Sequence, residues 1–255
     1  MDIMKGVAIL TAGRSGSNWL GSLANSTHCL GRSDEWLDPL KLGSDPRDID
    51  ALFQAILATA SSANGRFALK IFPPHLMRVQ RQYGVDFITE CRSRHHLGLV
   101  LLKRRDRLRQ AISLVRSVQT NKWTSAESAI GAEAYDYAAI CEAYVKTERY
   151  YSFWSAYLDL FELDHDLLYY EDLVDDPAPY LDALSKHLEV RIDDVPVSAL
   201  KVQRDDLTEE WLARFRLDLA RVGFLSQLPK GATPRTVRNL ALFLQRKPMK
   251  GHWFD

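Results

Sequence analysis

Short apolar runs alternate along the chain with longer segments in which apolar residues recur at helical spacing. The unbroken apolar runs predict four buried strands, at residues 7–10, 67–72, 97–102 and 167–170. The spaced apolar residues predict helices at residues 19–25, 45–63, 109–118 and 134–161, with a further helix after Pro177. Apolar strands that alternate with helices are typical of a parallel sheet that is covered on both faces. The pattern therefore predicts an α/β fold of three layers, with a central parallel sheet between two layers of helices.

The alternating pattern weakens beyond residue 193. We expect one helix at residues 208–216, capped by Thr208, and a short amphipathic helix at residues 236–244. No internal repeat, low-complexity segment or clear linker divides the chain. The prediction is one main domain at residues 1–228, with a helical C-terminal extension at residues 229–255 packed on the same domain.

Composition and charge exclude several classes of protein. The 255 residues include 33 Lys and Arg against 33 Asp and Glu, and zero net charge disfavours a protein that coats nucleic acid. Three cysteines lie far apart with no CxxC, which excludes a disulfide scaffold or a cysteine zinc ribbon and favours a reducing compartment. No apolar run reaches the ~18 residues of a transmembrane helix, and the first strand is too short for the core of a signal peptide. We therefore expect a cytoplasmic protein without a membrane span.

A glycine-rich loop follows the first predicted strand and precedes the first predicted helix. Its residues are Gly13, Arg14, Ser15, Gly16, Ser17 and Asn18. Backbone N–H groups in such a turn, together with the positive end of the helix, form a site for a phosphate or sulfate group. The loop lacks the Lys-Ser/Thr pair of a Walker A motif, which counts against an ATPase or a kinase. The alternative is a tight turn without a ligand.

A second basic element follows the third predicted strand, where five of the seven residues at 103–109 are Lys or Arg. Ligands of open α/β sheets bind at the carboxyl ends of strands, so this element and the loop are expected at one edge of the sheet. Either Arg104 or Arg105 could bind an anion there, and Ser113 lies two to three helical turns further on. Two anion sites on one edge suggest a nucleotide that is phosphorylated at both ends. The alternative is a solvated basic face.

Several segments carry a family resemblance, namely residues 11–20, 31–36, 104–123, 170–173 and 203–216. They resemble sulfotransferases that use 3′-phosphoadenylyl sulfate (PAPS), in particular the Stf0-type bacterial carbohydrate enzymes. That branch includes trehalose 2-sulfotransferase and relatives of lipopolysaccharide sulfotransferase. The resemblance implies a P-loop-type fold, PAPS as sulfuryl donor with 3′-phosphoadenosine 5′-phosphate (PAP) as product, and a carbohydrate or glycolipid hydroxyl as acceptor.

The resemblance also implies roles for individual residues. The loop from Gly13 to Asn18, with the charge of Arg14, would hold the 5′-phosphate and the transferring group. Arg104, favoured over Arg105, and Ser113 would bind the 3′-phosphate. Glu35 would be the general base. The remaining candidates are Lys70 for the sulfuryl oxygens, Gln203 and Arg204 for closure over the nucleotide, and Trp36 and Trp123 as platforms for the acceptor.

No metal is expected, because the sequence shows no cluster of His, Asp and Glu at metal-ligand spacing, and the adjacent His95 and His96 would point apart. Two rival functions stay open. One is a P-loop kinase for a small alcohol, which would need ATP and Mg²⁺. The other is a non-enzymatic nucleotide or RNA-binding module that uses residues 103–109. A homodimer is compatible with the sequence, which identifies neither the oligomeric state nor the acceptor.

Overall fold

The computed structural model describes residues 3–43, 46–192, 198, 200 and 205–224 of the chain. Four parallel strands form one sheet in the order β2–β1–β3–β4. The strands are β1 Lys5–Leu10, β2 Arg66–Ile71, β3 His96–Lys103 and β4 Asp166–Tyr169. Each lies within two residues of the strand predicted from the apolar runs, so the predicted parallel sheet is confirmed.

Ten helices are described around the sheet. They are α1 Ser17–Asn25, α2 Pro39–Leu42, α3 Ile49–Ala60, α4 Pro73–Tyr83, α5 Phe87–Arg94, α6 Arg107–Thr120, α7 Tyr137–Leu160, α8 Tyr170–Leu173, α9 Ala178–Leu188 and α10 Asp206–Val222. None of these helices is both long and apolar enough to cross a bilayer.

The two faces of the sheet are covered by different helices, as the three-layer prediction requires. In β1, Ala8 and Leu10 contribute to a core with α3, α4, α5 and α7, whereas Val7 and Ile9 contribute to a core with α1 and α9. Successive side chains of a strand point to opposite faces, so an unbroken apolar run fills both cores.

A third apolar cluster lies away from the sheet, where α6 and α7 pack with α10. Ile112 of α6, Ile140 of α7 and Trp211 of α10 are buried there. Residue Trp154 further along α7 is fully buried against the sheet. The aromatic residues of the long helix therefore belong largely to the core, and the helix holds α6 beside the sheet edge.

Four local predictions need correction. The helix predicted at residues 45–63 is shorter, because Asp48 caps it and it spans Ile49–Ala60. The prolines that were predicted only to end β2 also begin α4, since proline is tolerated in the first helical turn. Helix α5 was not predicted. Helix α10 is capped by Asp205 rather than by Thr208, whose backbone N–H donates to the Asp205 carboxylate. The segments at 229–255 and 236–244 lie outside the described residues.

Candidate active site

The carboxyl ends of the four strands meet at one edge, and a cavity of about 800 Å³ opens there. Its walls include the glycine-rich loop after β1, Lys70 at the end of β2, Arg104 after β3 and Tyr170 after β4. Four separate chain segments thus contribute polar side chains to one cleft, as open parallel sheets arrange them.

Backbone carbonyl groups in the loop and just before it accept hydrogen bonds from core residues and from Arg104. The Trp154 indole N–H donates to the Thr11 carbonyl at 2.8 Å, and the Gln110 amide donates to the Gly13 carbonyl at 2.7 Å. The Arg104 guanidinium donates to the Arg14 carbonyl at 3.2 Å. These contacts fix the acceptors of the loop on its core side, so the loop's N–H groups are left for the cleft.

The N–H groups of the loop form an anion nest at the start of α1. Gly16 is the N-cap residue of α1, so its backbone N–H and that of Ser17 have no partner inside the helix, and Ser15 directly precedes them. Gly16 has a φ of 87°, and a Cβ there would overlap the ring of Tyr170. Glycine is therefore required both by the left-handed backbone and by the tyrosine that packs under the loop.

The side chain of Arg14 leaves the loop and reaches toward α6. Its Nε donates to the Ser113 hydroxyl at 2.9 Å, and its Nη1 donates to the Trp123 carbonyl. Burial and the neighbouring Arg104 lower the pKa of Arg14 to about 10. The two guanidinium groups repel each other at a site that is shielded from water. An anion bound between or beside them would therefore stabilise both.

The structure distinguishes Arg104 from Arg105, which the sequence left open. The Arg104 side chain is 12% exposed, stacks on the Tyr170 ring at 4.8 Å and lines the cavity. Its Nε is buried without a hydrogen-bond partner among the described residues, with Glu171 at 3.7 Å. Arg105 instead turns outward and pairs with Asp172. Only Arg104 of these two is placed to meet a ligand in the cleft.

A smaller cavity of about 280 Å³ adjoins the first one. Arg14, Arg104 and Ser113 line both cavities, so the two share a wall. One face of α6 supplies most of the floor, through the spaced residues Arg109, Ser113, Arg116, Ser117 and Thr120. Ser113 accepts a hydrogen bond from Arg14, which leaves its own hydroxyl hydrogen available to an anion.

Arg116 was not singled out by the sequence, although its helical spacing from Ser113 and Arg109 places it on the same face. It donates to Glu133 at 2.8 Å, to Asp205 at 2.7 Å and to the Thr208 hydroxyl at 2.5 Å. These hydrogen bonds raise the pKa of Arg116 and lower the pKa of Asp205. Arg116 therefore ties α6 to the loop before α7 and to the start of α10.

Glu35 and Lys70 form an ion pair on the opposite wall of the larger cavity. Lys70 Nζ lies 2.9 Å from Glu35 Oε1 and donates to the amide oxygen of Asn18. The Lys70 backbone N–H donates to the Asp34 carbonyl at 2.9 Å, which holds the Glu35 loop along the end of β2. Gly31 permits this approach, because a Cβ there would overlap the backbone of β2. The predicted base, the predicted lysine and the phosphate loop are thus in direct contact.

The two predicted tryptophans are placed differently. Trp123 lines the larger cavity and its side chain is 39% exposed. Trp36 is not among the described residues that line this cavity; its indole N–H donates to the Arg32 carbonyl and its ring packs against the core. Gln203 and Arg204 lie outside the described residues, so the structure does not place them.

The basic run at residues 103–109 does not form one continuous charged face. Arg104 lines both cavities, whereas Arg109 lines only the smaller one and pairs with Asp106 and Glu209. Lys103 reaches Ser155, and Arg107 pairs with Glu148. Nucleic-acid binding needs basic side chains directed to a shared surface. This division counts against the RNA-binding alternative.

Among the described residues, no three His, Cys, Asp or Glu side chains come close enough together to hold a metal ion. His95, next to His96, is buried and its Nδ1 accepts the backbone N–H of Met4 at 3.2 Å. This histidine, which directly precedes β3, therefore has a structural partner just before β1.

The fold and the site together describe an α/β protein that carries a candidate anion nest, a second basic pocket and an adjacent carboxylate at one edge of its sheet. The model of the Stf0 sulphotransferase family matches residues 7–218, and the chain belongs to that family. A comparison with curated proteins finds no match. Solved structures that match include a sulfotransferase from Alicyclobacillus acidocaldarius at 17% sequence identity, covering 91% of this chain and 99% of that one with a TM-score of 0.47. A likeness of that degree adds nothing to the assignment made by the family.

Proposed function

We propose that this sulfotransferase moves the sulfuryl group of PAPS to a hydroxyl group of a carbohydrate or glycolipid acceptor. The observation that carries the proposal is the pair of adjoining anion-binding cavities, which share Arg14, Arg104 and Ser113. PAPS has one anionic group at its 5′ end and a separate phosphate at its 3′ position. A site with two anion pockets separated by one wall fits such a nucleotide better than it fits ATP.

The residues of the chain fit the donor at both ends. The N–H groups of Ser15, Gly16 and Ser17, with the positive end of α1, would hold the 5′-phosphosulfate. The buried Nε of Arg104 and the hydroxyl of Ser113 would receive the 3′-phosphate, with Arg14 between the two sites. Gln203 and Arg204 remain candidates for closing over the nucleotide.

Glu35 would act on the acceptor. Its carboxylate faces the cavity beside the loop, so it can take the proton of a hydroxyl group that is placed there. In this transfer, the acceptor oxygen forms a bond to sulfur while its proton passes to Glu35. The bond from sulfur to the 5′-phosphate oxygen breaks, and its electron pair leaves with PAP. A positioned base contributes about 10²–10⁴-fold to such a step.

Lys70 would connect the donor site with the proposed base. Its ammonium group contacts both the phosphate loop, through Asn18, and Glu35. A cation at this point can stabilise negative charge on the transferring group, where preorganised charge contributes most to catalysis. It also orients the carboxylate before the acceptor enters.

The acceptor region is the part of the larger cavity beyond Glu35. Trp123 lines it on one side, while Leu40, which is 92% exposed, stands at its rim. Carboxylates of Asp34 and Asp38 lie nearby and can accept hydrogen bonds from hydroxyl groups. An aromatic face beside several acceptors suits a sugar, and the exposed leucine at the rim suits an apolar aglycone.

Calorimetric titration of the protein with PAP, with ATP as the control, tests the donor site. We expect PAP to bind at least tenfold more tightly than ATP, which is a difference of about 1.4 kcal/mol. Equal binding, or tighter binding of ATP with Mg²⁺, would favour the kinase alternative and overturn the proposal. A second titration with adenosine 5′-phosphate separates the contribution of the 3′-phosphate.

A further inference from the structure

His75 lies in the first turn of α4, five residues beyond Lys70, and its side chain is 12% exposed. The backbone N–H of Phe72 donates to His75 Nδ1 at 3.3 Å. Because Nδ1 accepts this hydrogen bond, the hydrogen-bond network assigns the proton of the neutral ring to Nε2. The ring therefore offers one donor, on the side away from its own helix.

That donor faces the second oxygen of Glu35. His75 Nε2 lies 4.0 Å from Glu35 Oε2, while Lys70 holds Oε1 at 2.9 Å. The carboxylate is thus located between a cation on one oxygen and an imidazole N–H near the other. The imidazole contact is longer than a hydrogen bond, and contacts of this kind in a resting enzyme commonly shorten when the substrate is bound.

The imidazole is neutral in this position. Burial lowers the pKa of His75 to about 4, and it outweighs the nearby carboxylates of Glu35 and Asp38, which raise the pKa. Arg78 and Lys70 are the cations that face the ring, and both lower its pKa further. A neutral donor can orient the carboxylate without adding a second positive charge, which would weaken it as a proton acceptor.

We propose that His75 is a positioning residue that holds Glu35 in the orientation in which it accepts the proton of the acceptor hydroxyl. This inference rests on the proposed function, because it assigns His75 to the same proton transfer. The ring would act through Glu35, since His75 is not among the described residues that line either cavity. Helix α4 is rigidly joined to β2 through the short turn at Phe72, so the imidazole is fixed relative to Lys70 as well.

Two substitutions of similar size separate positioning from packing. His75→Gln keeps an amide N–H close to the place of Nε2, whereas His75→Asn keeps a polar group near Nδ1 and leaves the Nε2 position empty. We expect His75→Asn to lower kcat by about 10-fold to 100-fold, since a misplaced catalytic group has effects of that size. We expect His75→Gln to restore most of the rate. KM for the acceptor and Kd for PAP should be unchanged in both variants.

The pH profile supplies a readout that a packing role would not change. In the complex with substrate, where the imidazole contact shortens, the carboxylate of His75→Asn lacks this donor, so the acid limb of the kcat profile should move to higher pH, and in His75→Gln it should stay in place. Equal activity in the two variants, or equal losses accompanied by equal decreases in Tm, would overturn the inference. A wild-type protein without sulfuryl transfer would instead overturn the proposed function.

A third measurement does not depend on activity. Nitrogen NMR of the labelled wild-type protein should show His75 as the tautomer protonated at Nε2, with Glu35→Gln changing the Nε2 signal. A proton on Nδ1 would remove the donor that faces Glu35 and contradict the inference. Glu90→Gln, whose carboxylate pairs with Arg94 on α5, is the matched control and should leave the His75 signals unchanged.

Discussion

Arg104→Ala would remove a buried cation that lines both cavities. Because its side chain is only 12% exposed, solvent screens its interaction with an anion weakly. Hydrogen bonds to charged groups contribute about 1.5–3 kcal/mol each, so losing the contact to a 3′-phosphate should raise the Kd for PAP about 10-fold to 150-fold. Adenosine 5′-phosphate lacks that phosphate, and we expect its Kd to rise less than about 3-fold, through the lost support of the Arg14 carbonyl.

The assay is calorimetric titration of both nucleotides, and the matched control is Arg105→Ala. Arg105 is exposed and paired with Asp172, so its loss should leave both affinities within about twofold of wild type. Equal losses of the two nucleotides in Arg104→Ala would refute the 3′-phosphate assignment. A loss in Arg105→Ala as large as that in Arg104→Ala would refute the reasoning from burial.

Three further predictions concern the base, the loop and the acid stability. Glu35→Gln should lower kcat by about 10²–10⁴-fold while the Kd for PAP stays near wild type, and turnover near wild type would assign the base to another group. Gly16→Ala should abolish PAP binding because its Cβ would overlap Tyr170. Gly84→Ala, at a similar φ with open space around it, should leave PAP binding unchanged and only lower the free energy of unfolding by the left-handed strain of about 1–2 kcal/mol; equal PAP affinity in the two variants would contradict the packing argument. Arg116 lowers the pKa of Asp205, so the pair stabilises the fold above the unfolded pKa near 3.8 and loses that stability as the pH falls below it. In urea unfolding, Asp205→Asn should be less stable than wild type at neutral pH, and a difference that persists in strong acid would contradict this assignment.

The sheet could be predicted from the sequence because its strands are buried on both faces. An unbroken run such as that in β1 has few structural alternatives, and the glycine-rich turn after it marks the loop. Helices α4 and α5 were missed for a physical reason. A proline pair can end a strand and can also begin a helix. The sequence pattern predicted only the end of the strand, whereas the structure shows that Pro73 also begins α4.

The candidate site was predictable in part. Gly13 to Asn18 and Arg104 follow strand ends, and Ser113 lies on helix α6, which begins just beyond Arg104, so the topology brings them together. The approach of Glu35 to Lys70 depends on Gly31, which passes close to β2. Glu35 and Lys70 are 35 residues apart in the sequence, so no local pattern predicts their contact. Arg116 and His75 were missed because the groups they face belong to other helices or loops.

We propose above that this protein transfers a sulfuryl group from PAPS. The most direct test incubates wild type and Glu35→Gln with PAPS carrying radiolabelled sulfur and a panel of sugars and glycolipids. We expect labelled product with at least one hydroxyl-bearing acceptor in the wild type, PAP formed in equal amount, and product lowered by about 10²-fold or more in Glu35→Gln. Absence of labelled product across the panel, together with phosphate transfer from ATP to any of the same acceptors, would contradict it.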